Sequence, residues 1–182
     1  KAAMNEAAGY STIEYDLTTG SRGPRGAQVV SLTKLLTGAE DALAVNNCAA
    51  AALLVLSVFA AGREVIVSRG ELVEIGGDFR IPDILSRTGA VLREVGTTNR
   101  THLKDYEDAI SGQTAMILKV HPSNFRISGF TKSPTTAGLV NLARERGLIF
   151  YEDAGSGALV DVEAMGISGE PVISNVVASG AD

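Results

Sequence analysis

Short apolar segments rich in β-branched residues alternate along this chain with segments of helical periodicity, and this alternation constrains the fold more than any other feature. The segment Glu64–Ser68, with Val65, Ile66 and Val67 in its middle, is typical of a strand that is buried on both faces. Strands that alternate with helices predict a mostly parallel sheet with helices on both faces. The sequence therefore predicts an α/β protein of three layers.

The predicted elements follow one another closely, and no repeat, low-complexity tract or proline-rich linker divides them. Residues 1–26 are predicted to form an extended or irregular lead-in, although the chain begins in what resembles a helix. We expect residues 1–182 to form one partial catalytic domain. The predicted strands are 42–45, 64–68, 90–95, 115–120 and 148–151. The predicted helices are 27–36, 48–61, 81–86, 101–110, 135–146 and 171–178.

Composition excludes several classes of protein. The longest apolar block, 48–61, is shorter than the ~20 residues that a membrane span requires. One cysteine cannot form an internal disulfide, so we expect a cytoplasmic protein. The two histidines and the cysteine lack metal-ligand spacing, and we expect no metal site. The net charge is −5 and the basic residues are scattered, unlike the concentrated basic surface of a nucleic-acid binder.

Polar or glycine-rich segments follow the predicted strands at 46–49, 68–71, 121–124 and 152–157. Ligands of parallel α/β sheets bind beyond the carboxyl ends of the strands, so we expect these segments to converge on one site. The chain has no Ser-His-Asp order, no Walker loop and no GxGxxG motif, which argues against hydrolases, NTPases and dinucleotide-binding enzymes.

Two of these segments allow both a structural and a functional interpretation. Asn47, Cys48 and Ala49 begin a helix with small side chains, which fits an Asn N-cap or a site where free amides bind a phosphate. Asp153 fits an Asx turn or the counter-ion of a protonated cofactor nitrogen. We expect Cys48 to be a small buried side chain rather than a reactive thiol, and Lys119 to point into the packing of the sheet.

Other candidate residues also allow both a structural and a functional interpretation. His121 and Asn124 flank Pro122 directly after a predicted strand, where they could form a turn or contact a bound ring. Arg22 and Arg25 lie in a glycine-rich segment. They could clamp a phosphate or carboxylate of a substrate, or be solvated charges.

Several blocks of the sequence carry a specific resemblance. They are 15–26, VNNCAAAALL at 45–54, EVIVSRGELVEIGGDFRIP at 64–82, VGTTNRTHLKDY at 95–106, LKVHPSNFRISGFT at 118–131 and DAGSGALVD at 153–161. In this order they resemble the bacterial selenocysteine synthases, the L-seryl-tRNA(Sec) selenium transferases. The resemblance implies the large domain of a fold-type-I pyridoxal-phosphate enzyme.

The resemblance also implies roles for single residues. It places Asp153 beside the pyridinium nitrogen and Ser156 as a second contact to the cofactor or its phosphate. It matches Asn47, Cys48 and Ala49 to the turn that binds the phosphate. It matches His121 and Asn124 to the 3-hydroxyl side of the ring, and Glu71 to the ring face. Many family members carry Asn where this chain has Cys48, a difference that a backbone contact to phosphate would tolerate.

The implied function is the pyridoxal-phosphate-dependent conversion of L-seryl-tRNA(Sec) to L-selenocysteinyl-tRNA(Sec) with selenophosphate, in a homo-oligomer. The family's Schiff-base lysine has no match, since no lysine follows Lys132. We therefore expect a fragment that lacks this lysine, the N-terminal tRNA-binding region and the C-terminal small domain, and that is inactive alone. The alternatives are a related lyase, either a β-elimination lyase or an ammonia-lyase acting on a small amino-acid substrate, and a catalytically dead scaffold domain.

Overall fold

The computed structural model describes residues 1–9, 13–76, 79–155 and 157–182. These residues form two compact units, Lys1–Ala44 and Val45–Asp182, which are described separately. The single partial domain expected from the sequence stays a prediction. Within the described ranges, none of the helices combines the length and the apolar character needed to cross a membrane.

The smaller unit contains two helices and a short hairpin. Its elements are α1 (Ala2–Gly9), β1 (Tyr15–Asp16), β2 (Ser21–Arg22) and α2 (Ala27–Thr37). The hairpin was not predicted, whereas α2 confirms the predicted helix and ends at Gly38 in the left-handed conformation. The predicted strand at 42–45 is wrong, because these residues lie outside any helix or strand. Leu43 is 73% exposed, so apolar character alone does not provide the neighbouring strand that a sheet requires.

The larger unit contains a four-stranded sheet and a separate hairpin. Its strands are β3 (Glu64–Ser68), β4 (Glu74–Ile75), β5 (Phe79–Arg80), β6 (Val91–Val95), β7 (Thr114–Val120) and β8 (Ile149–Asp153). Its helices are α3 (Cys48–Phe59), α4 (Ile81–Thr88), α5 (Leu103–Ala109), α6 (Thr136–Arg146) and α7 (Ile173–Ala178). The sheet has the order β6-β3-β7-β8 with all neighbours parallel, while β4 and β5 pair antiparallel.

Both faces of the sheet are covered. Successive side chains of β3 point to opposite faces, so Val65 and Val67 pack with α3 and α4, and Ile66 packs with α5 and α6. These central residues of β3 are fully buried, as the apolar run predicts. The three-layer α/β fold is therefore confirmed.

The observed strand ends decide where the site lies. β3 has the predicted bounds, and the other predicted strands of the sheet are correct to within two residues at each end. β8 continues to Asp153, so its carboxylate belongs to the last residue of the strand rather than to the loop after it. The β4–β5 hairpin and the 3-10 turns Arg69–Glu71 and Glu163–Met165 were not predicted.

Candidate functional site

The start of α3 and the end of β8 meet at the carboxyl edge of the sheet. The Cys48 sulfur lies 3.4 Å from Oδ1 of Asp153, although the two residues are 105 positions apart in the sequence. The sequence analysis predicted that these two segments converge, and this contact confirms it.

The first turn of α3 is capped, and its first two amides have no acceptor within the helix. Asn47 is extended, and its Oδ1 accepts a hydrogen bond from the Ala50 amide at 2.8 Å. The Ala51 amide bonds to the Asn47 carbonyl oxygen, which begins the regular helical pattern. The amides of Cys48 and Ala49 precede that pattern and have no intrahelical acceptor. Asn47 therefore acts as an N-cap and leaves two amides of the kind that bind anions at helix starts.

Asp153 is a buried carboxylate with only 6% of its surface exposed. Its Oδ1 accepts hydrogen bonds from the Gly155 amide at 3.0 Å and from the Cys48 thiol. The first bond is an Asx turn, and the φ of +62° at Gly155 suits the glycine that follows in this turn. Its carbonyl oxygen accepts from the His121 amide at 2.9 Å, so the backbone is fixed as well. The Asx turn and a counter-ion role are thus compatible in one residue.

Cys48 differs from expectation in its exposure. The residue is exposed rather than buried, because the first residue of α3 is open on the N-terminal side of the helix. Partial burial of the thiol and the neighbouring Asp153 carboxylate raise its pKa to about 11. The thiol is therefore protonated at neutral pH, which agrees with the expectation that it is not a reactive nucleophile.

His121 and Asn124 follow β7 and are already engaged with other residues. The Nε2 of His121 lies 3.6 Å from Oε1 of Glu170, and its side chain is largely buried. The Nδ2 of Asn124 donates to the carbonyl oxygen of Glu74 at 3.1 Å. The proposed contact of Asn124 with a ring oxygen would require this amide to be shared or released, and it stays a prediction.

Glu71 is buried, with 7% of its surface exposed, and belongs to the 3-10 turn after β3. Burial raises the pKa of its carboxyl group to about 7, against the opposing effects of the Val120 amide and Lys119. Glu71 lines a cavity of about 610 Å³, together with His121 and Asn124. Among the described residues, neither 47–49 nor Asp153 lines this cavity, so it lies beside the α3–β8 contact rather than at it.

An ion pair that the sequence analysis missed crosses from β7 to β8. The Nζ of Lys119 lies 3.1 Å from Oε1 of Glu152, whose side chain is 3% exposed. Oε2 of Glu152 accepts from the Thr136 hydroxyl at 2.9 Å. Lys119 also borders the cavity, so the expectation that it points into the packing of the sheet rather than to its rim is wrong. The register that sets Lys119 opposite Glu152 would have revealed the pair.

Three candidate residues remain. Arg22 and Arg25 belong to the smaller unit, where both pair with Glu14. The distance from Nη2 of Arg22 to Oε2 of Glu14 is 2.8 Å, and both arginine side chains are exposed. Ser156 lies outside the described residues. In the described part of the chain, no cluster of His, Cys, Asp and Glu could hold a metal ion.

Comparison with known proteins identifies close relatives. Residues 1–182 match the family model "SelA: L-seryl-tRNA selenium transferase". The chain is 58% identical over 181 residues to the L-seryl-tRNA(Sec) selenium transferase of Solidesulfovibrio magneticus, and 56% identical over 181 residues to that of Moorella thermoacetica. Each match covers 100% of this chain and 38% of the relative, so the chain spans well under half the length of these proteins.

Solved structures agree on the fold. The structure of D-glucosaminate-6-phosphate ammonia-lyase superposes with a TM-score of 0.71 at 21% identity, over 100% of this chain and 46% of that one. A Thermus thermophilus aspartate aminotransferase gives a TM-score of 0.53 at 19% identity, over 83% and 40% of the two chains. At these identities the likenesses show the fold alone, and they agree with the α/β architecture predicted from the sequence.

Proposed function

Because the chain belongs to the L-seryl-tRNA selenium transferase family, we propose that it forms the cofactor-binding core of an enzyme that converts L-seryl-tRNA(Sec) to L-selenocysteinyl-tRNA(Sec). Selenophosphate is the selenium donor and pyridoxal phosphate the cofactor. The observation that carries the proposal is the contact of Cys48 with Asp153, which brings a helix start and a buried carboxylate together at the edge of the sheet.

The chemistry of these two groups fits the cofactor. The start of α3 combines the positive end of a helix dipole with the unused amides of Cys48 and Ala49, which suits a phosphate dianion. Ala49 has little side-chain bulk to obstruct it. The buried Asp153 suits a protonated ring nitrogen, because a charge pair in a buried site is weakly screened by water. Asn47, Cys48 and Ala49 would hold the phosphate, and Asp153 the ring nitrogen.

When bound, pyridoxal phosphate supplies an electron sink for the carbanion left when the α-proton of the seryl group departs. The task of Asp153 is to keep the proton on the ring nitrogen, and its own carboxylate is held in place by the Gly155 amide. In the proposed conversion the β-hydroxyl leaves as water, and selenium from selenophosphate adds to the β-carbon while hydrolysis of the selenium–phosphorus bond releases phosphate.

The remaining candidates have further roles in the proposal. His121, whose amide is bonded to the Asp153 carbonyl oxygen, and Asn124 approach the 3-hydroxyl side of the ring. Glu71 contributes to the ring face, and Ser156 makes a second contact to the cofactor. Arg22 and Arg25 bind substrate, in exchange for their contacts with Glu14. The order of these segments in the family resemblance supports the roles.

We further propose that the enzyme works in the cytoplasm as a homo-oligomer. The free thiol of Cys48 agrees with a reducing compartment. The net charge is −5 and the basic residues are scattered along the sequence, so we assign most contacts to tRNA to other parts of the full-length protein.

The test uses the full-length protein that contains this chain. We expect the visible absorbance of bound pyridoxal phosphate, and selenocysteinyl-tRNA(Sec) after incubation with seryl-tRNA(Sec) and selenophosphate. The change Asp153→Asn should lower turnover by at least about 100-fold, since the ring nitrogen loses its counter-ion. The control is Asp161→Asn, because Asp161 forms a similar turn with the Glu163 amide at 2.9 Å.

Other outcomes would replace the proposal. Bound cofactor with turnover of free amino acids but not of seryl-tRNA(Sec) would indicate a related lyase. Absence of bound cofactor would indicate a scaffold domain. Full activity of the Asp153→Asn variant would show that the counter-ion is another residue.

A further inference from the structure

The carboxylate of Asp153 is held from two directions at a single oxygen. Its Oδ1 accepts from the Gly155 amide in its own turn and from the Cys48 thiol on a different element. We propose that Cys48 is a positioning residue, whose thiol donates to Oδ1 and fixes the carboxylate against the start of α3. The value of this orientation for a cofactor depends on the function proposed above, whereas the contact itself does not.

The position of Cys48 makes it a link between the two halves of the site. It is the first residue of α3, directly after the N-cap Asn47, so its backbone is fixed by the cap. Its amide belongs to the anion-binding turn, while its side chain reaches the carboxylate of β8. One residue thereby connects the proposed phosphate and ring-nitrogen sites. A displacement of the first turn would move the hydrogen bond to Asp153 as well.

The thiol can serve as a donor only while it is protonated. A helix start normally lowers the pKa of a cysteine. Here burial, followed by the charge of Asp153 and the hydrogen bond to it, outweighs the helix and raises the pKa to about 11. Tyr151 of β8 also faces the pair, and its pKa is raised, mainly by burial. Cys48 and Tyr151 are therefore both neutral at pH 7, and Asp153 faces a donor rather than a second anion.

The thiol of Cys48 has the chemistry of a hydrogen-bond donor. A thiol is a weak donor, but a charged acceptor strengthens a hydrogen bond. The acceptor of the Cys48 thiol is a carboxylate oxygen, so this contact is of the strengthened kind.

The first experiment measures the contact without any cofactor chemistry. The full-length protein is stripped of bound cofactor, and the alkylation rate of the peptide carrying Cys48 is measured with iodoacetamide from pH 7 to pH 10.5. At pH 8 we expect Cys48 to react about two orders of magnitude more slowly than a free cysteine, because alkylation follows the thiolate fraction. In the Asp153→Asn variant the pH profile should shift to lower pH, with about a tenfold faster rate for each unit by which the pKa falls.

The control and the contradicting result are specific. Asp161→Asn removes a charge from a similar turn, in which Asp161 accepts from the Glu163 amide, and should leave the profile of Cys48 unchanged. A change in accessibility would scale the rates at every pH, whereas a change in pKa moves the profile along the pH axis. Identical profiles for the wild type and Asp153→Asn would overturn the proposed contact.

The second experiment measures the positioning role. Cys48→Ala removes the donor, whereas Cys48→Ser and Cys48→Asn each keep one; circular dichroism confirms that each variant folds. We expect the Kd for pyridoxal phosphate to rise about 3- to 10-fold in Cys48→Ala. In this variant we also expect a shift in the pH at which the absorbance of the bound cofactor changes. Both the Kd and this pH should return to their wild-type values in Cys48→Ser and Cys48→Asn.

The outcomes separate the two proposals. Unchanged values in Cys48→Ala, with altered values in Asp153→Asn, would refute the positioning role and leave the proposed function intact. Failure of the wild-type protein to bind the cofactor would refute the proposed function, while the alkylation result would still decide the contact between Cys48 and Asp153.

Discussion

The carboxylate of Glu71 accepts a hydrogen bond from the backbone amide of Val120, with 3.0 Å between Oε2 and N. This bond ties the turn after β3 to the last residue of β7, at the edge where the cavity lies. Burial still dominates and raises the pKa of Glu71 to about 7. Glu71 is therefore a carboxyl group that changes charge near neutral pH inside the fold.

The first prediction concerns stability and pH. Folded Glu71 keeps its proton up to about pH 7, whereas the unfolded group loses it near its ordinary pKa of 4.5, so stability falls as the pH rises through this window. The groups that face Glu71 are Lys119, Glu152 and Tyr106. In urea unfolding, Glu71→Gln should gain stability relative to the wild type from pH 5 to pH 8, by up to roughly 3 kcal/mol.

A matched control for this prediction is Glu107→Gln, which changes an exposed carboxyl group on α5. The difference in free energy of unfolding between this variant and the wild type should be nearly the same at pH 5 and at pH 8. If the stability difference between Glu71→Gln and the wild type were also constant from pH 5 to pH 8, the carboxyl group of Glu71 would be ionised throughout this range, and burial would not raise its pKa to about 7.

The second prediction concerns the ion pair of Lys119 with Glu152. Lys119→Met should lower the free energy of unfolding by about 3 kcal/mol, because it leaves the 3%-exposed side chain of Glu152 charged and unpaired. The double change Lys119→Met with Glu152→Leu should recover most of this loss, since no buried charge remains. Urea denaturation of the two single variants and the double variant gives the coupling energy. A cost below about 1 kcal/mol for Lys119→Met would mean that the pair behaves like a surface ion pair.

The strands of the sheet were predictable because each is a short apolar run whose burial decides its structure. Glu64–Ser68 has the predicted bounds, and its central residues are fully buried. The segment 42–45 shows the limit of this argument, because it is equally apolar but has no neighbouring strand. The β4–β5 hairpin escaped prediction because strands of two residues are too short to show a periodicity.

The candidate site was predictable where local chemistry determines it. Asn47 and Asp153 both make the cap and turn bonds that their residue types favour. They converge because α3 runs back to the start of β3, which puts its first turn at the carboxyl edge of the sheet, and not because a strand precedes Asn47. The pair of Lys119 and Glu152 was missed because it depends on the register of β7 against β8, which a single sequence does not fix. Cys48 is exposed rather than buried as predicted, because a residue in the first turn of a helix has no preceding turn to cover it.

The third prediction concerns the turn after β6. Gly96 has a φ of +68°, and a Cβ added there would lie 2.7 Å from the Cβ of Thr101. Thr101 is 2% exposed, and its hydroxyl lies 2.7 Å from that of Ser68, so it cannot move without breaking a buried hydrogen bond. We expect Gly96→Ala to destabilise the protein by about 2–5 kcal/mol, the sum of left-handed strain and overpacking.

The control separates the strain at Gly96 from the steric clash. Gly147 has a φ of +63°, and in the described part of the chain no atom lies within 4 Å of an added Cβ. Gly147→Ala should therefore cost only about 1–2 kcal/mol in thermal or urea unfolding. Equal costs for the two variants would show that Thr101 gives way without penalty.

The fourth prediction separates capping from phosphate binding at the start of α3. Asn47→Asp keeps a side-chain acceptor for the Ala50 amide, so the free energy of unfolding should stay within about 0.5 kcal/mol of the wild type. The new negative charge repels a phosphate dianion, so the Kd for pyridoxal phosphate should rise at least tenfold, which corresponds to a loss of about 1.4 kcal/mol in binding free energy. Thr135→Asp makes the same kind of change at the N-cap of α6, where Thr135 accepts from the Gly138 amide, and should leave this Kd unchanged. Equal affinities of Asn47→Asp and the wild type would place the phosphate away from α3, and the roles of Asn47, Cys48 and Ala49 as its ligands would be wrong.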